Sequence, residues 1–526
     1  MGRIRIVIVA GCLVPAVVLV PATVGSAAPS LEPRSVAATG TLAVIRTIAV
    51  LEDPHGVAIN NVDDTVYVTN KDSKHVSVIN GVTGTVDDTI SLADYGFPSS
   101  VAVNDLDDTV YVTTQGTPDD IGYADVTVVV INGRVGTVDD TISGGFSAYQ
   151  PSVAVNQVDD TVYVTHFYDN TNLVIDGRTN TWNSGTTFTG FFQGLAVNQL
   201  NDAVYLIEYE LGTMMVMNGR NINDTTTITV AGEYDPWAVA INQADDTVYV
   251  ANELGTVSVI NGRTNTWADT ITVAEQYDLR GVAVDQVGAT VYVTNDSGTV
   301  SVINGRTNTW EDTITVGEGP RGVAVDDSGT NAGLVYVTNS GADSVSVIGR
   351  VSPSLASTAG RAGSTMTVAL DVPQAAYDVD DATITSVSFG GRLATGLTAR
   401  TGDAWTLTVP AGTGTVPVTV TFNGGLTASA GSFTYSSPKP SITITGTRDG
   451  QRITVTGTAT GLAGKELRAW IRFPGKSTHV KGKAVITPAA DGTFTWSRKT
   501  GKRTSVYIAH GETKSNTVTI PARQRR

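Results

Sequence analysis

The 526-residue sequence has one cysteine, five histidines and only 16% charged residues. The cysteine, Cys12, falls in an N-terminal stretch with a basic start at Arg3 and Arg5 and an apolar run from Ile6 to Val20. The small residues Gly25, Ser26, Ala27 and Ala28 follow, which is the pattern of a secretory signal peptide. With cleavage expected after Ala27, the mature chain has no thiol, which excludes disulfides and cysteine catalysis. No later stretch is apolar enough to span a membrane. No sorting motif or hydrophobic tail follows Ile520, so the protein is expected to be exported and then released or held noncovalently at the cell surface. Helical patterns are almost absent, and no nucleophile-elbow motif surrounds any serine.

Val9, Ala10 and Gly11, just before Cys12, also match a lipoprotein acylation box, but the apolar run continues past the cysteine. Interior leader sequence is the simpler reading. What the chain has in quantity is 55 glycines and 41% apolar residues, with many Val and Thr, the composition of a folded, turn-rich, all-β protein. The net charge of −16 is unevenly distributed. From Pro438 onward 17 Lys and Arg face four acids, a balance of +13, while the preceding chain carries 17 basic against 46 acidic residues, or −29. An acidic body with a basic end is a dipolar molecule.

One unit recurs with Tyr67, Tyr111, Tyr163, Tyr205, Tyr249, Tyr292 and Tyr336 as anchors, spaced by 44, 52, 42, 44, 43 and 44 residues. In the sixth unit its four β patterns read GVAVD (Gly281–Asp285), TVYVTN (Thr290–Asn295), TVSVIN (Thr299–Asn304) and DTITV (Asp312–Val316). Four alternating segments with Asn-Gly and Asp-Asp turns make an antiparallel series. At this period they predict a seven-bladed β-propeller over residues 41–350. The chain starts with an isolated fourth-strand pattern, Thr47–Val50, and its last unit stops after the third, Ser344–Ile348. Pairing of 47–50 with 344–348 is therefore expected to close the ring.

The sevenfold VYVTN and SVING motifs resemble the YVTN family of bacterial β-propellers, which implies an exported or envelope-associated scaffold and no particular reaction. Residues 28–40 read as a linker. Over 351–437, Ile384–Leu397, Val416–Phe422 and Gly431–Tyr435 resemble an IPT/TIG immunoglobulin-like domain. Past the stiff SSPKP boundary, residues 438–526 carry about seven alternating segments and predict a second, basic immunoglobulin-like sandwich.

Alignment on VAVN puts His55, Ser99, Pro151, Gln193, Trp237, Arg280 and Arg321 at one ring position near the channel mouth. The position after VYVT reads Asn70, Thr114, His166, Glu208, Asn252, Asn295 and Asn339. His166 and Glu208 break the repeat in adjacent units, with Phe167, Tyr168, Tyr209 and Glu210 beside them. Together with Gln193, Trp237, Arg280 and Arg321 they form the candidate ligand-binding set; repeat drift on an exposed rim is the plainer alternative. The VDDT pairs (Asp63 and Asp64, Asp107 and Asp108, Asp159 and Asp160, Asp245 and Asp246) lack the alternating oxygens of a calcium loop and read as turn residues. Trp182, Trp267 and Trp310, each in NTW, read as cover for blade edges or packing between blades, with sugar stacking as the functional alternative. The insertion from Gln115 to Asp125 is either a recognition loop or a tolerated extension.

No metal or cofactor is expected. A binding or structural role at the cell surface is the leading reading. The alternative is an extracellular hydrolase or lyase acting at the channel mouth, since similar seven-bladed folds include lactonases and an antibiotic lyase. In the basic domain, Lys481, Lys483, Lys499, Lys502 and Arg503, with Lys476 and Arg498, are candidates for contact with anionic wall polymers. Another surface protein is a second candidate partner; export argues against nucleic acid.

Overall fold

The computed structural model describes residues 40–116, 124–148, 151–165, 173–183, 192–209, 211–230, 235–273, 278–327, 331–371, 383–399, 404–422, 427–436 and 439–524. The expected leader and most of the expected linker lie outside them. Strand follows strand with no helix among the described residues. Six four-stranded antiparallel sheets, each in sequence order, run from Pro54 to Asn183 and from Phe192 to Thr315. A seventh group, Pro320–Val325, Val335–Asn339 and Ser344–Leu355, takes its fourth strand from Thr41–Ala49. That strand runs antiparallel to Ser344–Leu355 from Thr41 opposite Val351 to Ala49 opposite Ser344.

The alternation of each unit explains its place in the sheet. Second strands such as Thr65–Asn70 are buried almost throughout, because sheets cover both faces. Fourth strands such as Thr85–Ser91 are exposed except for one isoleucine, recurring as Ile90, Ile142, Ile228, Ile271 and Ile314. Burying one such side chain contributes about 1.5–3 kcal/mol. The first strands touch in succession, and Pro320–Val325 returns to Pro54–Asn60, so the arrangement is propeller-like and closed on itself.

The repeated polar residues stitch each sheet to the next. Thr69 Oγ1 donates to the Ser99 carbonyl at 2.9 Å, Thr113 to Pro151 at 3.0 Å and Thr294 to Arg321 at 2.7 Å. Thr338 completes this circuit on His55 at 2.7 Å, across 283 residues. Nearer the rim, Asn60, Asn104, Asn156 and Asn198 donate to Asp108, Asp160, Asp202 and Asp246 at 2.8–3.1 Å. The anchor tyrosines Tyr67, Tyr111, Tyr163, Tyr205, Tyr249 and Tyr336 donate to the carbonyls of Gly133, Gly177, Gly219, Gly262, Gly305 and Gly81 in the next sheet at 3.1–3.5 Å. Glycine is required at these turns: a Cβ on Gly133 would stand 2.7 Å from the Tyr67 hydroxyl and from the Asp108 carbonyl.

A further belt passes through the residue after each VAVN. Asn61 Nδ2 donates to Asp105 at 3.1 Å, and the Gln157 side chain bonds the same carboxylate. Backbone amides then donate to side-chain oxygens in turn: Gln157 to Gln199 (2.9 Å), Gln199 to Gln243 (3.0 Å), Gln243 to Gln286 (2.7 Å) and Gln286 to Asp327 (3.0 Å). Asp327 N returns to Asn61 Oδ1 at 3.1 Å.

The strand Ser344–Leu355 does not stop at the expected boundary of residue 350. Its last residues pair with Thr365–Asp371, from Ser352 opposite Asp371 to Leu355 opposite Val368. One core accordingly runs from Ile45, Leu334 and Tyr336 through Val351 to Val368, Phe389 and Phe433. Two sheets enclose the far end of this core, one containing 365–371, 395–399 and 404–408 and the other 384–389, 415–422 and 427–435. The basic segment has its own core of Ile453, Val455, Leu467, Ile508 and Trp496. It lies between the sheets 441–449, 452–460, 493–499 and 467–472, 480–486, 504–510.

Candidate functional site

His55, Ser99, Pro151, Gln193, Trp237, Arg280 and Arg321 all line one central cavity of about 310 Å³. Local backbone geometry brings them there. In the first strands the register slips just where these residues stand, between Pro54 and Val57, Pro98 and Val101, Phe192 and Leu195, Pro236 and Ala238, Leu279 and Val282, and Pro320 and Val323. Such a bulge bends the strand and re-aims a side chain. Neighbouring strands converge so closely that a Cβ on Gly322 would lie 2.5 Å from the His55 carbonyl.

Arg280 and Arg321 supply positive charge, His55 adds an imidazole, and among the described residues no carboxylate side chain lines the cavity. Arg280 is held from three directions. Its guanidinium stacks 4.2 Å from the Trp237 ring centroid, Nη1 pairs with Glu253 at 3.2 Å and Nε with Asp296 at 3.3 Å. Tyr209 meets Trp237 edge-on at 5.6 Å and donates its hydroxyl to Glu253 at 3.0 Å. Burial and that carboxylate push the Tyr209 phenol up to about 12, so it remains a neutral donor. Arg321 donates to the Ser340 hydroxyl at 3.4 Å and forms no ion pair within 4.0 Å among the described residues. His55 Nε2 lies 3.3 Å from Asp53. Burial raises the Asp53 pKa, but the His55 hydrogen bond and the charges of His55, Lys71 and Arg321 outweigh it and hold the carboxyl below its usual range.

Glu208 is buried, takes a hydrogen bond from the Thr213 hydroxyl and is not among the cavity-lining residues. His166, Phe167, Tyr168 and Glu210 lie outside the described residues, as do Asp119 and Asp120 of the insertion. The ring position that Glu208 shares is internal: Asn70, Asn252 and Asn339 donate to Ser77, Ser258 and Ser346 of the third strand at 2.9 Å. A sequence signal for this exists. Units with Asn at that position carry Ser opposite Val68, Val250, Val293 or Val337. Units with Thr114, His166 or Glu208 carry Val129, Leu173 or Met215 at the same place. The third-strand Ser is present where the position is Asn and gives way to an apolar residue where it is not, so the two positions vary as a pair.

The Asp pairs are taken up by structure. Asp63, Asp107, Asp159 and Asp245 accept from the amide two residues on at 3.0–3.2 Å. Asp64, Asp108, Asp160 and Asp246 adopt φ near +60°, a region Asp tolerates. Among the described residues no group of three or more His, Cys, Asp or Glu is placed to hold a metal ion. Trp182 packs against a sheet core, whereas Trp267 and Trp310 remain 47% and 38% exposed.

In the basic domain Lys481 and Lys483 lie on the edge strand Val480–Ile486, Lys499 ends the opposite sheet, and Lys502 and Arg503 occupy the loop before Thr504. All five are exposed. Arg448 braces that loop, donating to the carbonyls of Thr500, Lys502 and Pro521. Two residues the sequence reading left out, Glu253 and Asp296, are what fix Arg280. No family model matches this chain, and no curated protein matches it.

Proposed function

We propose that this protein is an exported binding scaffold: a seven-bladed propeller of the YVTN type, followed by two immunoglobulin-like sandwiches, the first of them IPT/TIG-like. The propeller presents its central mouth to a polar, anionic ligand, and the basic domain contacts anionic envelope polymers. The observation that carries the reading is the convergence of Gln193, Trp237, Arg280 and Arg321, residues of one ring position, on one cavity with no lining carboxylate among the described residues. Trp237, stacked on Arg280, adds aromatic surface to the lining of that cavity. Arg321, without a carboxylate at ion-pair distance among the described residues, is the cation available to a ligand.

Calorimetric titration with sugar acids, glucuronate being read against neutral glucose, tests this. Glucuronate should bind and Arg321→Ala should weaken it about tenfold or more, the loss of one charge-assisted hydrogen bond. Equal response to acid and neutral sugar, or affinity indifferent to Arg321→Ala, would remove the proposal.

A further inference from the structure

The basic domain carries a concavity that its surface charge alone does not describe. A groove of about 330 Å³ is lined by Arg472, Phe473, Lys476, Arg503, Ser505 and Thr519, with Pro474 and Gly475 shaping the turn between the first cations. Arg472 ends the strand Leu467–Arg472, and Arg503 comes from the loop before Thr504–His510. The register explains their meeting, since Arg472 stands opposite Ser505 in adjacent strands. Arg503 is two residues further along, on the loop that Arg448 fixes from beneath.

Three features make this a site rather than a charged surface. First, no carboxylate lies at ion-pair distance from Arg472, Lys476 or Arg503 among the described residues, whereas Arg468 in the same domain pairs with Glu466 at 3.3 Å. Second, one wall is apolar and held in place: Phe473 packs on the domain core and lies under the Arg498 guanidinium at 5.5 Å. Third, an aromatic row continues from the groove. His479 lies 4.9 Å from Tyr507 and its Nε2 3.4 Å from the Ser505 hydroxyl, and Tyr507 stacks on Trp470 at 5.9 Å.

From this geometry we infer that the groove is a binding site for a phosphorylated sugar or polyol unit, with Arg472, Lys476 and Arg503 on the phosphate and Phe473 against the carbon skeleton. A flat carboxylate is satisfied by one guanidinium fork, whereas a tetrahedral phosphate takes donors from several directions. Three cations from two separate segments, with the Ser505 and Thr519 hydroxyls, suit the second. The volume falls at the small end of ligand pockets, the scale of one sugar phosphate rather than an extended chain. This rests on the reading that the domain meets anionic polymers and narrows it to one site and one charged group.

His479 supplies a built-in reporter. Burial and the Arg472 charge hold its pKa below the usual value, so an anion that offsets Arg472 should raise it. The experiment uses the full mature chain with 13C-labelled histidine. The five histidine signals are followed by NMR during titration with glucose 1-phosphate, inorganic phosphate and neutral glucose, and His479→Gln identifies the relevant signal. Glucose 1-phosphate should shift the His479 signal and raise its pKa, inorganic phosphate should do so more weakly, and glucose should do nothing. Arg472→Ala with Arg503→Ala should cut the affinity about tenfold or more. A silent His479, or affinity unchanged in the double variant, overturns the site.

Sedimentation with a phosphate-rich wall polymer at low salt separates this failure from that of the broader reading. Polymer binding retained at full strength by the double variant leaves the anchoring role and removes the groove. A sugar-phosphate response at His479 without polymer binding keeps the groove, assigns it to free phosphates and removes the anchoring role.

Discussion

Replacing Asp327 by asparagine should stabilise the propeller-like ring of sheets at neutral pH and leave it unchanged in acid. Asp327 is the link of the inter-sheet belt that accepts from Gln286 N at 3.0 Å and whose own amide reaches Asn61. Five other links, Asn61, Gln157, Gln199, Gln243 and Gln286, have amide side chains, so an amide oxygen suits the geometry. The carboxylate does not suit the surroundings: burial, with the charges of Asp285 and Asp326 in support, pushes its pKa up to about 7. A group whose folded pKa lies above its unfolded value binds more protons in the folded state between the two. Its contribution is therefore fully favourable below about pH 4 and is lost as pH rises towards 7. At about 1.4 kcal/mol per pH unit, the loss above pH 7 is at most about 4 kcal/mol. Asparagine avoids it while keeping the acceptor. Urea unfolding of wild type and Asp327→Asn at pH 4, 6 and 8 should give a difference near zero at pH 4 that grows to about 2–4 kcal/mol at pH 8. A variant less stable at pH 8, or a difference that does not vary with pH, would refute the reasoning.

Two further substitutions test the stitching. Ala289 holds φ +54° where the other units have Asp64, Asp108, Asp160, Asp202 or Asp246; Ala289→Asp should relieve left-handed strain of about 1 kcal/mol and offer Asn242 the carboxylate that Asn198 finds in Asp246. A rise in the thermal midpoint checks this, and a fall contradicts it. Tyr249→Phe removes a hydroxyl bonded at 3.1 Å to Gly305 and 3.3 Å to Asn308 and should cost about 1 kcal/mol. Tyr111→Phe, which loses one contact at 3.5 Å, should cost distinctly less in the same urea assay.

The all-β class followed from the repeated short segments rich in Val, Tyr and Thr, bounded by turns that carry their own chemistry, whether a strand is buried almost throughout, as Thr65–Asn70 is, or mostly exposed, as Thr85–Ser91 is. The cavity-lining ring was legible for the same reason: His55 through Arg321 occupy one register, and the repeat itself aligns them. Its polar type places Glu208 on an exposed rim, whereas the structure buries it against the Thr213 hydroxyl. At the end of a second strand a polar side chain is satisfied inside the sheet, as Asn70 is by Ser77, and only comparison with the facing third-strand residue reveals it. The Arg280 clamp was hidden differently, since Asp296 comes from the loop after the second strand of its own unit and Glu253 from the matching loop of the preceding unit, a convergence no single repeat position encodes. The continuous strand across Arg350 escaped because the sequence there changes repeat without changing conformation.

The central claim is a ring closed by its own first strand, and one cross-link tests it. Ala49 and Ser344 face each other in the closing ladder, at the spacing of antiparallel neighbours that a disulfide can bridge. With Cys12 replaced by serine, Ala49→Cys with Ser344→Cys leaves these as the only two thiols. The account predicts that air oxidation of the folded monomer joins them intramolecularly and completely, raising stability by up to about 5 kcal/mol through loop closure. Thiols that stay free in the folded protein, or that join only between chains, would contradict it.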